Sequence, residues 1–175
     1  DNIFVTGNTA IDALKTTVVD GYEHPYLEWC KGHRLILITA HRRENLGEPM
    51  MAMFRAIKRV LIEYPDVRAL YPIHKNPQVR ATAEAVFGEM EGLRIVEPMD
   101  VVDFHNVMSR SYLILTDSGG IQEEAPSLGI PVLVMRETTE RPEGVDAGTL
   151  KLVGREEETI YMAFRDLLDS EEHYQ

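Results

Sequence analysis

The sequence predicts an α/β domain built on a doubly wound, mostly parallel sheet, and three observations predict it. Short runs rich in Val, Ile and Leu recur and stay apolar throughout, as strands buried on both faces do. Helical patterns follow them, the order that makes parallel crossovers. The chain has 175 residues, 44% of them hydrophobic, enough for one core. No repeat, low-complexity tract or internal linker divides residues 1–175, which we read as one domain.

The elements follow in order. Strands are expected at Ile3 to Val5, Leu35 to Thr39, Val67 to Ile73, Leu93 to Val96, Tyr112 to Thr116, Pro131 to Met135 and Leu150 to Val153. Between the second and third runs, Met50, Phe54, Ile57 and Leu61 share one helical face, with Arg55, Lys58 and Arg59 elsewhere. Pro49 suits the first turn of that helix and Pro65 marks its end. A second helix starts near Pro77, buries Val79, Ala83 and Val86, and stops at Gly88, where glycine can take the left-handed conformation. A third covers Val101 to Met108. A fourth opens after Asp117 and closes before Gly129, shortened or kinked by Pro126. The last, near Glu156 to Leu168, buries Ile160, Phe164 and Leu167.

A net charge of -11 argues against a nucleic-acid backbone or an anionic membrane as partner. A small anionic ligand remains compatible, because it needs only local donors. The single cysteine, Cys30, makes no internal disulfide and no zinc site, which favours a reducing, cytoplasmic setting. No apolar run approaches the roughly 20 residues of a membrane span, so a soluble protein is expected. The start, Asp1 to Gly7, reads as a strand entering a turn with no initiator Met, and we expect a piece of a longer chain.

Ligands of open parallel sheets bind beyond the strands' carboxyl ends, so the residues after each run are the first candidates. After Thr116 comes Asp117-Ser118-Gly119-Gly120-Ile121-Gln122-Glu123-Glu124: a strand end, a glycine turn and a helix start. Gly119 and Gly120 let backbone approach a ligand, the helix start attracts an anion, and Ser118 adds a hydroxyl. Glu124 can accept from two ribose hydroxyls. A capped helix with an exposed acidic turn is the other reading. The dinucleotide and P-loop fingerprints are absent.

After Thr39, His41-Arg42-Arg43-Glu44-Asn45 sets an imidazole and two guanidiniums at a strand end, suited to phosphate or carboxylate; surface ion pairs are the alternative. After Ile73 comes His74-Lys75-Asn76-Pro77, where a purely local turn competes with a functional role. The loop from Glu137 to Gly144 is long, polar and free of apolar anchors, and Arg141 in it either meets phosphate or faces solvent. His105 is expected to be a packed or surface histidine and Cys30 a partly buried small hydrophobe, and His24, His33 and His173 carry no signal. Without D-x-D, H-E-x-x-H or clustered Cys, no metal or cofactor is implied, and protein groups alone are expected to bind phosphate.

Taken together, these motifs resemble the bacterial non-hydrolysing UDP-N-acetylglucosamine 2-epimerases, which have a two-domain glycosyltransferase-B architecture. The resemblance runs from Gly7-Asn8-Thr9 with Asp12-Ala13-Leu14, through Thr39 to Asn45 and Thr116 to Pro126, to Thr138-Thr139-Glu140-Arg141-Pro142-Glu143. It implies that the chain is the UDP-binding C-terminal half of such an enzyme. His41 would then contact the diphosphate beside the reacting sugar, Ser118, Gly119 and Gly120 would hold phosphate, and Glu124 the ribose. Arg141 would be a further pocket residue and Phe104 would lie near the uracil. Arg42 and His74 match positions where some members bind a second UDP-N-acetylglucosamine as activator. The family reaction expels UDP from the anomeric carbon, leaves a glycal and re-adds UDP after inversion at C2. The N-terminal domain and its proton-moving carboxylates are missing, so the chain alone is expected to bind UDP weakly and epimerise nothing. The resemblance further implies a homodimeric full-length protein serving cell-surface polysaccharide synthesis. A glycosyltransferase of the same architecture, separable by its need for an acceptor, and a nucleotide-sugar-sensing module are the competing readings; a serine hydrolase fails for want of a G-x-S-x-G elbow.

Overall fold

The computed structural model describes residue 4 and residues 7–174. The strand expected at Ile3 to Val5 falls outside the described residues except for Phe4, which is in no strand. The chain then forms α1 (Thr9–Thr17), α2 (Pro25–Cys30), β1 (Arg34–Thr39), a single 3-10 turn (Arg43–Asn45), α3 (Glu48–Glu63), β2 (Val67–Pro72), α4 (Pro77–Phe87) and β3 (Leu93–Val96). There follow α5 (Val101–Met108), β4 (Leu113–Thr116), α6 (Ile121–Ser127), β5 (Val132–Val134), α7 (Pro142–Asp146), β6 (Leu150–Leu152), α8 (Glu157–Asp169) and α9 (Glu171–Tyr174).

All six strands are parallel, in the order β3-β2-β1-β4-β5-β6. The chain winds outward from β1 to β3, crosses back to β4, and winds outward the other way. The doubly wound sheet expected from the apolar runs is thus present, with its switch point between β1 and β4. Strand alternation builds its two cores. Ile36 and Ile38 of β1 point into a cluster with Phe54, Ile57, Phe87 and Phe164 from α3, α4 and α8. Leu35 and Leu37 point the other way, to Leu14, Val107, Met108 and Ala125 from α1, α5 and α6. Phe54, fully buried, meets the rings of Tyr71 at 5.7 Å and Phe87 at 4.9 Å. An aromatic side chain buried so completely contributes roughly 1.5–3 kcal/mol by leaving water.

The helix ends obey local chemistry. Asn8 caps α1 by accepting from Ala10 N, Asn76 caps α4 by accepting from Gln78 N, and Asp100 caps α5 by accepting from Asp103 N. Gly88 closes α4 with a φ of 56°, as its position predicts. Pro126 lies inside α6, which ends one residue later and so is short. Four helical elements, α1, α2, α7 and α9, are absent from the sequence expectation. The polar stretch from Glu137 to Gly144 is a loop only as far as Arg141, because Pro142 opens α7 with its fixed φ. Among the described residues no helix is long and apolar enough to cross a membrane.

Candidate functional site

The site is built where β1 and β4 end side by side. Their register pairs Thr39 with Thr116, so the chains leaving both strands emerge together. The two threonine hydroxyls lie 2.5 Å apart in the core, and Thr116 Oγ1 accepts from Ser118 N at 2.9 Å. That bond turns the backbone sharply after Asp117. The Asp117 carboxylate is fully buried. It accepts from the amides of His41 (3.0 Å) and Arg42 (2.9 Å) and from Asn45 Nδ2 (3.0 Å). A buried carboxylate survives only when its charge is met by donors. Here those donors come from the neighbouring strand's loop, so Asp117 pins the His41–Arg42 backbone against the glycine turn. Asp117 stood in the motif without an assigned role; an acid directly after a buried strand was its only signal.

Above this pin lies a cavity of about 230 Å³ whose lining includes His41, His74 and Ser118 from the ends of β1, β2 and β4, Phe104 of α5 and Ile121 of α6. The His41 imidazole, partly exposed, stacks on that of His74 with centroids 5.3 Å apart and planes 11° from parallel. His74 also accepts from Asn76 N through Nδ1, so the local turn and the cavity both use it. A larger cavity, about 560 Å³, opens at the other rim against Pro131, Val132 and Leu150, where β5 and β6 begin. It lies away from the switch point, and the smaller one is the ligand site that sheet topology favours.

Among the described residues, the amides of Gly119 and Gly120 make no hydrogen bond. Neither glycine has a positive φ, and Gly120 is helical at φ -63° and ψ -45°. A Cβ on Gly119 would stand 3.6 Å from Arg42 Nη2, and one on Gly120 3.6 Å from Glu124 Oε1, both ordinary contacts. Neither the backbone nor the packing requires glycine here; what its absence of Cβ preserves is access to the amides.

Two consecutive acids then part company. Glu124, largely buried, has one oxygen by Gly120 and the other 3.9 Å from His105 Nε2. Glu123 takes Asn8 and Arg141 as partners, and the hydrogen bond from Asn8, then that from Arg141, hold its pKa below the usual carboxylate range. Arg141 is held in that ion pair and donates to the Glu140 carbonyl; like Gly119, Gly120 and Glu124, it does not line the cavity of about 230 Å³. Arg42 sits beside Gly119, 3.7 Å from both Glu44 and Glu140. Glu140 is gripped by both terminal nitrogens of Arg136, at 2.6 and 2.9 Å, and this pairing pulls its pKa down to about 2. Arg136 itself is buried, its Nε without a hydrogen-bond partner and 3.5 Å from Glu44. Sequence reasoning passed over Arg136, since a lone arginine after a strand gives no hint of its burial. His105 is packed and not on the surface, and Cys30 is buried outright, its thiol pushed up to about 11 by desolvation. His24, read as silent, caps α2. The described residues contain no group of three His, Cys, Asp or Glu placed to hold a metal.

Open amides, a hydroxyl and an imidazole thus lie at the switch point of a doubly wound sheet, which defines a Rossmann-like α/β domain. The family model described as UDP-N-acetylglucosamine 2-epimerase matches residues 1–175. The chain belongs to that family. It is 60% identical over 174 residues to the UDP-N-acetylglucosamine 2-epimerase of Bacillus subtilis, covering 99% of this chain and 46% of that one. A structure described as an S. aureus MnaA–UDP co-structure superimposes with a TM-score of 0.95 at 54% identity, over 97% of this chain and 47% of the other. The Neisseria meningitidis UDP-GlcNAc 2-epimerase bound to UDP-GlcNAc gives 0.88 at 42% identity, over 97% and 48%. The chain spans about half the length of the curated relatives it matches.

Proposed function

We propose that this chain is the UDP-holding, C-terminal half of a two-domain cytoplasmic epimerase that interconverts UDP-N-acetylglucosamine and UDP-N-acetylmannosamine for cell-surface polysaccharide synthesis. The observation that carries the reading is the pair of unpartnered amides at Gly119 and Gly120, flanked by Ser118 and Glu124 at the switch point. Diphosphate on those amides and the Ser118 hydroxyl places the ribose toward Glu124 and the base toward Phe104. The S. aureus relative is a co-structure with UDP and the N. meningitidis relative is bound to UDP-GlcNAc, which supports this choice of ligand.

In elimination and re-addition, negative charge gathers on the departing UDP. Donors fixed before the reaction stabilise that charge without reorganising, so the same contacts that bind UDP lower the barrier. Asp117 fixes the His41 backbone, and the stack on His74 fixes the ring, so His41 meets the diphosphate side of the cavity as a held donor. Arg42, beside Gly119, and His74, stacked on His41, are the residues we assign to a second, activating UDP-N-acetylglucosamine in a homodimeric whole protein. Arg141, paired with Glu123, is the further pocket residue of this reading.

The test is a calorimetric titration of UDP into wild type, Ser118→Ala and Glu124→Ala. Each lost hydrogen bond should cost about 1–3 kcal/mol of binding. Equal affinity in all three removes the site assignment.

A further inference from the structure

Three helices meet behind Glu124, and one buried titratable side chain there has no part in the function proposed above. His105 of α5 is 6% exposed. Its Nδ1 lies 2.7 Å from Thr17 Oγ1 at the end of α1, and its Nε2 faces Glu124 Oε2 at 3.9 Å. The next residue, Asn106, ties α5 to the same end of α1 by donating to the Thr17 carbonyl at 2.7 Å and accepting from Val19 N at 2.9 Å. The ring therefore has little freedom to turn away.

The Thr17 hydroxyl is also 3.0 Å from the Ala13 carbonyl, and it has one proton to give. Given to His105 Nδ1, that proton leaves a neutral ring carrying its own hydrogen on Nε2, aimed at the carboxylate. Given to Ala13, it forces the hydrogen onto Nδ1, and a neutral ring would then turn a lone pair toward Glu124. The carboxylate selects the first arrangement.

We propose that His105 is a positioning residue for Glu124: its Nε2–H faces one carboxylate oxygen across 3.9 Å, an electrostatic contact longer than a hydrogen bond, and leaves the other, on the Gly120 side, for the hydroxyls of a ribose. The assignment rests on the reading that Glu124 binds ribose. Glu124 Oε1 is the oxygen that a Cβ on Gly120 would approach, at 3.6 Å, so the free oxygen is the one beside the glycine turn. Thr17, by supplying the proton to Nδ1, sets the arrangement from a second helix.

The effect is specific, and so is its readout. UDP and 2′,3′-dideoxy-UDP differ only in the hydroxyls that Glu124 would hold, so their affinity ratio measures positioning, whereas general damage lowers both affinities together. The ratio is measured calorimetrically on the full 175-residue chain in wild type, Glu124→Ala, His105→Leu, His105→Gln and Thr17→Val. Wild type should favour UDP by about 10-fold or more. His105→Leu should bring the ratio close to that of Glu124→Ala. His105→Gln, whose amide nitrogen replaces Nε2, should keep most of it, and Thr17→Val should lower it in a fold with the least disturbed packing. If Glu124→Ala keeps the wild-type ratio, the ribose reading fails and this proposal with it. If Glu124→Ala loses the ratio while His105→Leu and Thr17→Val both keep it, the ribose reading stands and His105 is only a packed side chain.

Discussion

Adding one methyl group at Gly120 separates what the fold needs from what the ligand needs. Gly120 has helical dihedrals, and its new Cβ would meet nothing nearer than Glu124 Oε1 at 3.6 Å. The fold therefore has no reason to reject alanine. Gly120 is the N-cap residue of α6, where alanine loses roughly a few tenths of a kcal/mol as a cap and regains about 0.4–1 kcal/mol from the reduced freedom of the unfolded chain, so the net change is small. A diphosphate seated on the Gly119 and Gly120 amides would lose one close approach to the methyl group. Hydrogen bonds to a charged group contribute about 1.5–3 kcal/mol, so UDP should bind roughly 10- to 150-fold more weakly. Two measurements on the same sample decide the matter: a thermal melt and a calorimetric titration with UDP. The expected result is an unchanged or slightly raised Tm with the affinity loss just given. A large drop in Tm would mean the glycine serves the backbone. An unchanged affinity would mean that no phosphate sits there.

Other outcomes follow from the same geometry. Asp117→Asn sets an amide hydrogen against donors at the hub where His41 N, Arg42 N and Asn45 Nδ2 converge; urea denaturation should show a loss of about 2–4 kcal/mol, with weaker UDP binding as well. Phe54→Ala empties a fully buried aromatic site on the face packed by α3, α4 and α8, and should cost about 3–5 kcal/mol in the same assay while leaving UDP affinity near wild type at temperatures where it stays folded. Glu140 has a folded pKa of about 2, set chiefly by its hydrogen bonds from Arg136, against an ordinary value of 4.5. A depressed carboxylate contributes stability above its unfolded pKa and loses it as pH falls through its folded one. Glu140→Gln should therefore differ from wild type most above pH 4.5 and converge with it toward pH 2. Half-exposure of Glu140 limits the difference to about 1 kcal/mol or less.

The large features were legible because they depend on pattern. Continuous apolar runs located β1 to β6 to within two residues, and the spacing of Met50, Phe54, Ile57 and Leu61 located α3. Strand order followed no local signal, yet it decides the site, because only the pairing of Thr39 with Thr116 brings His41 to Ser118. The missed helices are short, and α1 carries β-branched threonines at both ends, so their patterns are weak although Asn8 and Pro142 were available as start signals. The partners of single charges were illegible. Nothing local distinguishes Glu123, held by Arg141, from Glu124, facing His105; the helix's 100° step between neighbours separates them only once α6 is docked. Arg141 shows the same limit, since a guanidinium after a strand is equally a phosphate partner and half of an ion pair. Asp117 and Arg136 acquire their roles from burial, which a sequence states only through what surrounds the residue in space.

The central claim is that a nucleoside diphosphate binds at the carboxyl rim between β1 and β4 with its phosphates on the glycine turn. An amide-resolved ¹H–¹⁵N NMR titration of the 175-residue chain with UDP tests it directly. The account predicts that Gly119, Gly120 and the backbone near His41 shift together and saturate as one site. Shifts confined to the opposite rim, around Val132 and Leu150, with the Gly119 and Gly120 signals unmoved, would contradict it.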